Sequence, residues 1–414
     1  MTTAVSLNRS DRSERSDRSI PTELKLAVLL IVTIAFGWLN IMFATRMYGM
    51  EKDYGIFRES AEAFLAGQDM YGIARIGENL NPPHFMLLVL PLARLSPVNG
   101  WAIWLVAGAI SLVVSLATIF RNLNVRLTSW QIWTLLALAL AFAGTGATLI
   151  LGQVAWVMML PFTFAWLEMR RGRWVAAGVW LGVCASVKLF ALIFLPYLIV
   201  KRRWQALASM MGTIACVIAT GVAFFGVDEY VSWINAMGTV TWYFLPMNAS
   251  IQGFLERSLS MNAPTAKEHL EPVVLASWLI RPLWLVGAGA VGLISLLRLR
   301  TPSHDSAAEI DRAFLLFSLA ALLASPLGWI YYGWLFAGPA LAVMLRWWNG
   351  ETARRWLVIA LIAGVCWPLP AMTLFQPHGW ATVTFGSIYF WSILVMWGVL
   401  IVGGDGVQSQ TSCC

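Results

Sequence analysis

Residues 100–120 read GWAIWLVAGAISLVVSLATIF, an uncharged run that Arg121 closes. At 1.5 Å per residue, a helix of that length is about 30 Å long, the thickness of a bilayer's hydrocarbon core. Lipid offers no partner to a backbone N–H or C=O, so a spanning segment satisfies its own, as a helix does. Comparable runs recur through most of the chain. Hydrophobic residues make up 59% of its 414 residues and charged residues 12%, where a soluble domain carries about 25% charge.

Working outward from 100–120, the hydropathy pattern predicts spans at about 24–46, 100–120, 130–150, 154–168, 174–187, 189–200, 205–226, 276–298, 312–327, 330–347, 355–374 and 384–402. The expected fold is an all-α polytopic membrane protein of about twelve transmembrane helices. Its net charge of +7 comes from short basic clusters at span ends, such as Arg170, Arg171 and Arg173, then Lys201, Arg202 and Arg203. Such clusters mark cytoplasmic ends and do not describe a nucleic-acid surface. Trp130, Trp133, Trp347 and Trp348 fit an interfacial belt. Both termini are expected inside. The organisation is a polar tail (1–22), an N-terminal membrane module (23–226), a C-terminal module (227–403) and a short tail (404–414). Two long loops, 47–99 and 227–275, are expected outside. Cys184, Cys216 and Cys366 read as buried, inert thiols within spans, and Cys413 and Cys414 end the chain.

Two segments depart from simple spanning. Residues 84–97 (HFMLLVLPLARLSP) are too short to cross and read as a re-entrant or interfacial helix. Residues 174–200 fold back within about 27 positions, which at 1.5 Å per residue suits two half-helices around a cavity. Lys188 lies at their junction. An intramembrane cation is costly and is usually functional or paired, so Lys188 reads either as an anion ligand or as a structural partner.

The first loop opens on DYGIFRESAEAFLA (53–66). Tyr54, Phe57, Ala61, Phe64 and Leu65 share one helical face, and Arg58, Glu59 and Glu62 the other. This predicts an amphipathic helix lying on the membrane surface, capped at its end by Gly67. Asp53, at its start, is either a capping carboxylate or a catalytic one. Asp69 reads as a turn residue. Pro82 and Pro83 exclude regular helix just before His84, a structural donor or a site residue.

The segment from Asp53 to Pro97 resembles the opening signature of glycosyltransferase family 87, within the C-type superfamily. It has an Asp before an amphipathic helix, a Gly-x-Asp-x-Tyr turn, a double proline and a short apolar helix. Four further matches follow in order: Leu151-Gly152-Gln153, RRGRWVAAGVWLGVCASVKLF (170–190), NASIQGFLERSL (248–259) and LLASPLGWIYYGW (322–334). In the last, Trp329 is followed by Ile330, Tyr331 and Tyr332 where the family often has a His.

The resemblance implies a C-type architecture with two extracytoplasmic loops and transfer of a hexose, above all mannose, from a polyprenyl phosphate sugar to a lipid or polysaccharide. It implies Asp53 as the base, acting at the outer face of a bacterial plasma membrane. Such chemistry needs a base for the acceptor hydroxyl, cations or donors for the leaving phosphate, and an apolar groove for the lipid. Lys188, Arg257 and His84 are the candidate phosphate ligands. Gln153, Asn248, Gln252, Tyr331, Tyr332 and Asp69 are candidates for sugar or acceptor contacts. Inversion needs one carboxylate, where retention needs a pair. The sequence has no Asp-x-Asp, P-loop, His-Glu-x-x-His or Gly-x-Ser-x-Gly motif. No metal ligand, cofactor or nucleic-acid partner is therefore expected. The competing class is a secondary transporter or flippase, which also uses broken helices and an intramembrane cation.

Overall fold

The computed structural model describes residues 22–48, 52–72, 79–125, 128–259, 277–299, 306–349, 354–365, 367 and 380–403. Both predicted tails, apart from Thr22, lie outside them, as do Cys366, Cys413 and Cys414. The architecture is all-helical, with one isolated backbone bridge between Asn248 and Trp329.

The helices in order are α1 (Thr22–Tyr48), α2 (Lys52–Leu65), α3 (Met86–Ala93), α4 (Pro97–Asn122), α5 (Ser129–Ala141), α6 (Ala143–Leu151), α7 (Ala155–Arg170), α8 (Trp174–Val187) and α9 (Phe194–Val200). Then come α10 (Trp204–Phe225), α11 (Val227–Gly238), α12 (Ile251–Leu259), α13 (Ser277–Leu297), α14 (Ala307–Ala324), α15 (Ala337–Trp348), α16 (Arg354–Val365), α17 (Trp380–Val383) and α18 (Ile388–Val402). Among the described residues, four helical segments are individually long and apolar enough to cross a bilayer: Pro97–Asn122, Trp204–Phe225, Trp278–Leu297 and Ala381–Val402. α5 and α6 make a fifth if taken together, bent by 62° where Phe142 adopts an extended backbone. The first predicted crossing is the continuous helix α1 (Thr22–Tyr48), while those around 154–168, 174–187 and 189–200 are shorter helices, bounded by a left-handed Gly152 and an extended Lys188.

Apolar side chains cover the outside of the bundle as well as filling its core. Ile103, Val106, Ile110 and Val113 form an exposed stripe along α4, as a lipid-facing surface requires. Cys216, predicted to be buried, is exposed on α10, while Cys184 is buried. The contact between α8 and α10 relies on small residues. A Cβ at Gly178 would sit 2.2 Å from the Ala206 carbonyl oxygen, and one at Gly182 would sit 2.8 Å from that of Met210. This Gly-x-x-x-Gly face lets α8 lie against the α10 backbone.

At one end of the bundle the Asp311 carboxylate, 0% exposed, pairs with Arg170 at 3.1 Å and Arg346 at 2.7 Å. It also accepts from Trp166 Nε1 at 2.8 Å, joining α7, α14 and α15. Ser306 and Glu309 close a capping box at the start of α14.

α2 forms almost where the periodicity places it, but its apolar face is covered by protein. Tyr54, Ile56, Phe57, Ser60, Ala61 and Ala63 are buried, packed on α3 and α6, and Leu65 is exposed. Gly67 closes the helix with φ +71°. The second predicted loop contains α11 and α12, and its part from 260 onward lies outside the described residues.

Candidate active site

Asp53 stands in the first turn of α2, and the turn between α6 and α7 sets its surroundings. Gly152 has φ +74°, and a Cβ there would fall 2.6 Å from Tyr54 Cβ. Only glycine combines that backbone conformation with so close an approach. Trp104 Nε1 donates to the Gly152 carbonyl at 2.8 Å, fixing the turn. The next residue, Gln153, donates through Nε2 to Asp53 Oδ2. The carboxylate thus has a side-chain partner from a distant turn of the chain.

Burial pushes the Asp53 carboxyl up to about 6, and the Gln153 bond and the charges of Lys52 and Lys188 pull it back only in part. At neutral pH it remains mostly ionised, with a basicity raised toward the working range of a general base. Lys188 follows α8 on extended backbone, with φ −136° and ψ 112°. Its Nζ donates to Asn81 Oδ1 at 2.7 Å and lies 5.9 Å from the centre of the Tyr332 ring. Tyr332 is buried in the 3-10 segment Ile330–Phe336 and hydrogen-bonds to Tyr331. Five predicted site residues are therefore linked into one cluster: Gln153 to Asp53, Asp53 by its charge to Lys188 and Tyr332, Lys188 to the Tyr332 ring, and Tyr332 to Tyr331.

The others sit in two further networks. Asn248, 0% exposed, uses its whole amide. Its Oδ1 accepts from the backbone N–H of Ser250 at 3.2 Å and of Gly328 at 2.9 Å. Its Nδ2 donates to the carbonyls of Tyr243 and Pro326, both at 2.9 Å. Arg257 Nη1 donates to the Leu245 and Asn248 carbonyls, and Nε donates to Ser387 Oγ. Burial lowers the guanidinium to about 9. Arg257 Nη2 and Gln252 Oε1 are buried without a hydrogen-bond partner. These residues knot the second loop to the segment that leads into Tyr331.

In the remaining network, His84 Nε2 faces the Ser186 carbonyl at 2.7 Å and Nδ1 meets the Tyr230 hydroxyl at 2.9 Å. A carbonyl only accepts, so Nε2 carries the proton. Asp69 accepts from the Tyr71 N–H at 2.8 Å and from Ser232 Oγ at 3.0 Å. Glu229 accepts from the Met70 N–H. Burial raises its carboxyl, against that bond, and the neighbouring Asp69 adds to the rise. α11 is thereby docked onto the first loop.

Sequence reasoning missed Asn81 as a site residue. Its amide bond to Asn79 and its carbonyl bond from Tyr71 are what aim the side chain. Sequence reasoning also missed the offset stack of Trp242 on Trp329 (5.7 Å) and Trp329 on Tyr331 (6.0 Å) beside the cleft. Among the described residues, no three His, Cys, Asp or Glu side chains converge as a metal site would require.

The model of glycosyltransferase family 87 matches residues 79–326 of this chain. The chain belongs to glycosyltransferase family 87. The matched region includes Asn81, His84, Gln153, Lys188, Asn248, Gln252 and Arg257, while Asp53 and the two tyrosines flank it. This family 87 chain is similar to the polyprenol-phosphate-mannose-dependent alpha-(1-2)-phosphatidylinositol pentamannoside mannosyltransferase of Mycolicibacterium smegmatis. The two are 26% identical over 329 residues, covering 72% of this chain and 69% of the relative. It is also similar to the polyprenol-phosphate-mannose-dependent alpha-(1-2)-phosphatidylinositol mannoside mannosyltransferase of Mycobacterium tuberculosis. There the identity is 23% over 417 residues, covering 92% and 90% of the two chains. Family and helices together make this a multi-pass membrane glycosyltransferase.

Proposed function

We propose that this glycosyltransferase moves a hexose, mannose by preference, from a polyprenyl phosphate to a hydroxyl of a lipid or polysaccharide at the outer face of the membrane. The observation that carries the reading is that the Asp53 carboxylate and the Lys188 ammonium are each hydrogen-bonded to a neutral amide, Gln153 and Asn81, and not to each other. Both relatives named above use polyprenol phosphate mannose.

Asp53 takes the proton of the acceptor hydroxyl. The acceptor oxygen forms a bond to the anomeric carbon from the face opposite the phosphate. The bond from that carbon to the phosphate oxygen breaks, and polyprenyl phosphate departs with the electron pair. One carboxylate and a direct displacement invert the anomeric centre. Lys188 compensates the charge of the leaving phosphate. Tyr331 and Tyr332 wall the sugar side, where the family often has a His. Donor and acceptor are both amphiphiles, so membrane lipid is the medium of the reaction. No resident metal or cofactor is invoked. Family membership favours this chemistry over the transporter alternative.

The test is transfer by purified protein supplied with polyprenyl phosphate mannose and a membrane lipid extract, with products read by mass. The Asp53→Asn variant should lose about 100-fold or more in kcat while remaining folded. Turnover near that of the unaltered protein would remove Asp53 as the base.

A further inference from the structure

The partner of Lys188 is itself held. Asn81 Nδ2 donates to Asn79 Oδ1 at 3.2 Å, and the Asn81 backbone N–H donates to the same oxygen at 3.0 Å. Asn79 Nδ2 donates to Ser60 Oγ on α2 at 2.9 Å. All three side chains are buried, at 4% exposure or less. The Asn81 amide nitrogen is therefore engaged on Asn79, and its oxygen is the atom left to face the ammonium. The Asn81 carbonyl is fixed as well, by the Tyr71 hydroxyl at 2.7 Å.

This arrangement answers an electrostatic problem. An ammonium and a carboxylate sharing a poorly solvated cleft attract strongly. If they closed into an ion pair, the carboxylate would lose basicity and the phosphate would lose its counter-charge. A neutral amide satisfies a charged group's hydrogen bonding without cancelling the charge. Gln153 does this for Asp53, and Asn81 does it for Lys188. The other charged or titratable groups around the pair are Lys52 from α2, Tyr332 and Tyr331 from the 3-10 segment, and His84, which is bonded two residues before Lys188.

We infer that Asn81, braced by Asn79 and Ser60, is a positioning residue that holds Lys188 off Asp53 and keeps the ammonium available to an incoming phosphate. The inference rests on the reading of Lys188 as a phosphate ligand. It predicts that an acidic residue at position 81 is more damaging than a small one, because a carboxylate there would neutralise Lys188 in place.

The experiment is a double-mutant cycle on the full-length protein in nanodiscs, with equilibrium binding of polyprenyl phosphate and the pH profile of sugar transfer as readouts. Asn81→Asp is nearly isosteric and should weaken polyprenyl phosphate binding by about tenfold or more, as Lys188→Met does. The double variant should bind no worse than Lys188→Met alone. Asn81→Ala should lower the acidic limb of the kcat/KM profile by about one pH unit as Lys188 closes on Asp53. Additive losses in the double variant would overturn the inference, since a merely structural role acts with or without Lys188. So would unchanged binding in Asn81→Asp when Lys188→Met weakens it. Unchanged binding in Lys188→Met would remove the phosphate role and this inference together. Failure of the unaltered protein to transfer sugar would remove the proposed reaction alone, because the binding cycle still decides what Asn81 does.

Discussion

Gln153 reaches across one hundred positions of sequence to hydrogen-bond the Asp53 carboxylate, so the geometry of the first loop depends on a turn between two later helices. The bond favours the ionised form, working against the burial that raises the carboxyl to about 6. Activity should therefore fall as pH drops through about 6, when Asp53 becomes protonated. The acidic limb of kcat/KM measures this directly, and a limb near 4 would show that the site is better solvated.

The same group makes a prediction about stability with the opposite sense. Asp53 holds its proton more tightly in the fold, at about 6, than at its ordinary value of 3.8. Its contribution to stability is therefore favourable at low pH and is lost as pH rises through that window. Asp53→Asn removes the buried charge, so the variant should melt higher than the unaltered protein at pH 7.5 and no differently at pH 3.5. A lower melting point at pH 7.5 would contradict this assignment.

Gln153→Glu would place a second carboxylate against Asp53. The pair would share a proton near neutral pH, costing about tenfold or more in kcat/KM at pH 7 with partial recovery on alkaline titration. Gln153→Leu removes the bond without adding charge and should move the acidic limb upward. A pH–rate series on both variants distinguishes the two effects.

Gly178→Ala introduces a Cβ where the α10 backbone already lies. The overpacking should cost about 1–3 kcal/mol of stability. Because α8 leads directly into Lys188, the variant should also raise the KM for the lipid donor. Gly212→Ala on α10 meets nothing within 4 Å and serves as the control that leaves both quantities unchanged.

Asp311→Asn leaves Arg170 and Arg346 without their shared carboxylate. Removing one partner of a buried ion cluster costs about 3–5 kcal/mol. The melting temperature should drop sharply while the surviving folded fraction keeps its KM, since the cluster lies apart from the cleft residues.

Much of this molecule is legible in its sequence where the signal is local. The helix from Lys52 follows from apolar spacing, its end from Gly67, and the break at Lys188 from a charge between two apolar halves. What escaped depends on contacts over long separations. Nothing near Asn81 announces that it faces a lysine more than a hundred residues away, and nothing near Asp53 names Gln153. The burial of α2 was misread because amphipathicity shows which face is apolar but not whether protein or lipid covers it. Cys216 was misread for a related reason: when the solvent is lipid, an apolar neighbourhood is as common outside as inside.

Gly152 makes one position answer to two separate demands. Its left-handed backbone suits glycine, and the space where any other side chain would begin is already occupied by Tyr54. A change there would turn the chain away from Gln153 and push on the helix that carries Asp53 in the same stroke. Position 152 thus ties the turn to the first loop, so that a substitution in the one is felt in the other.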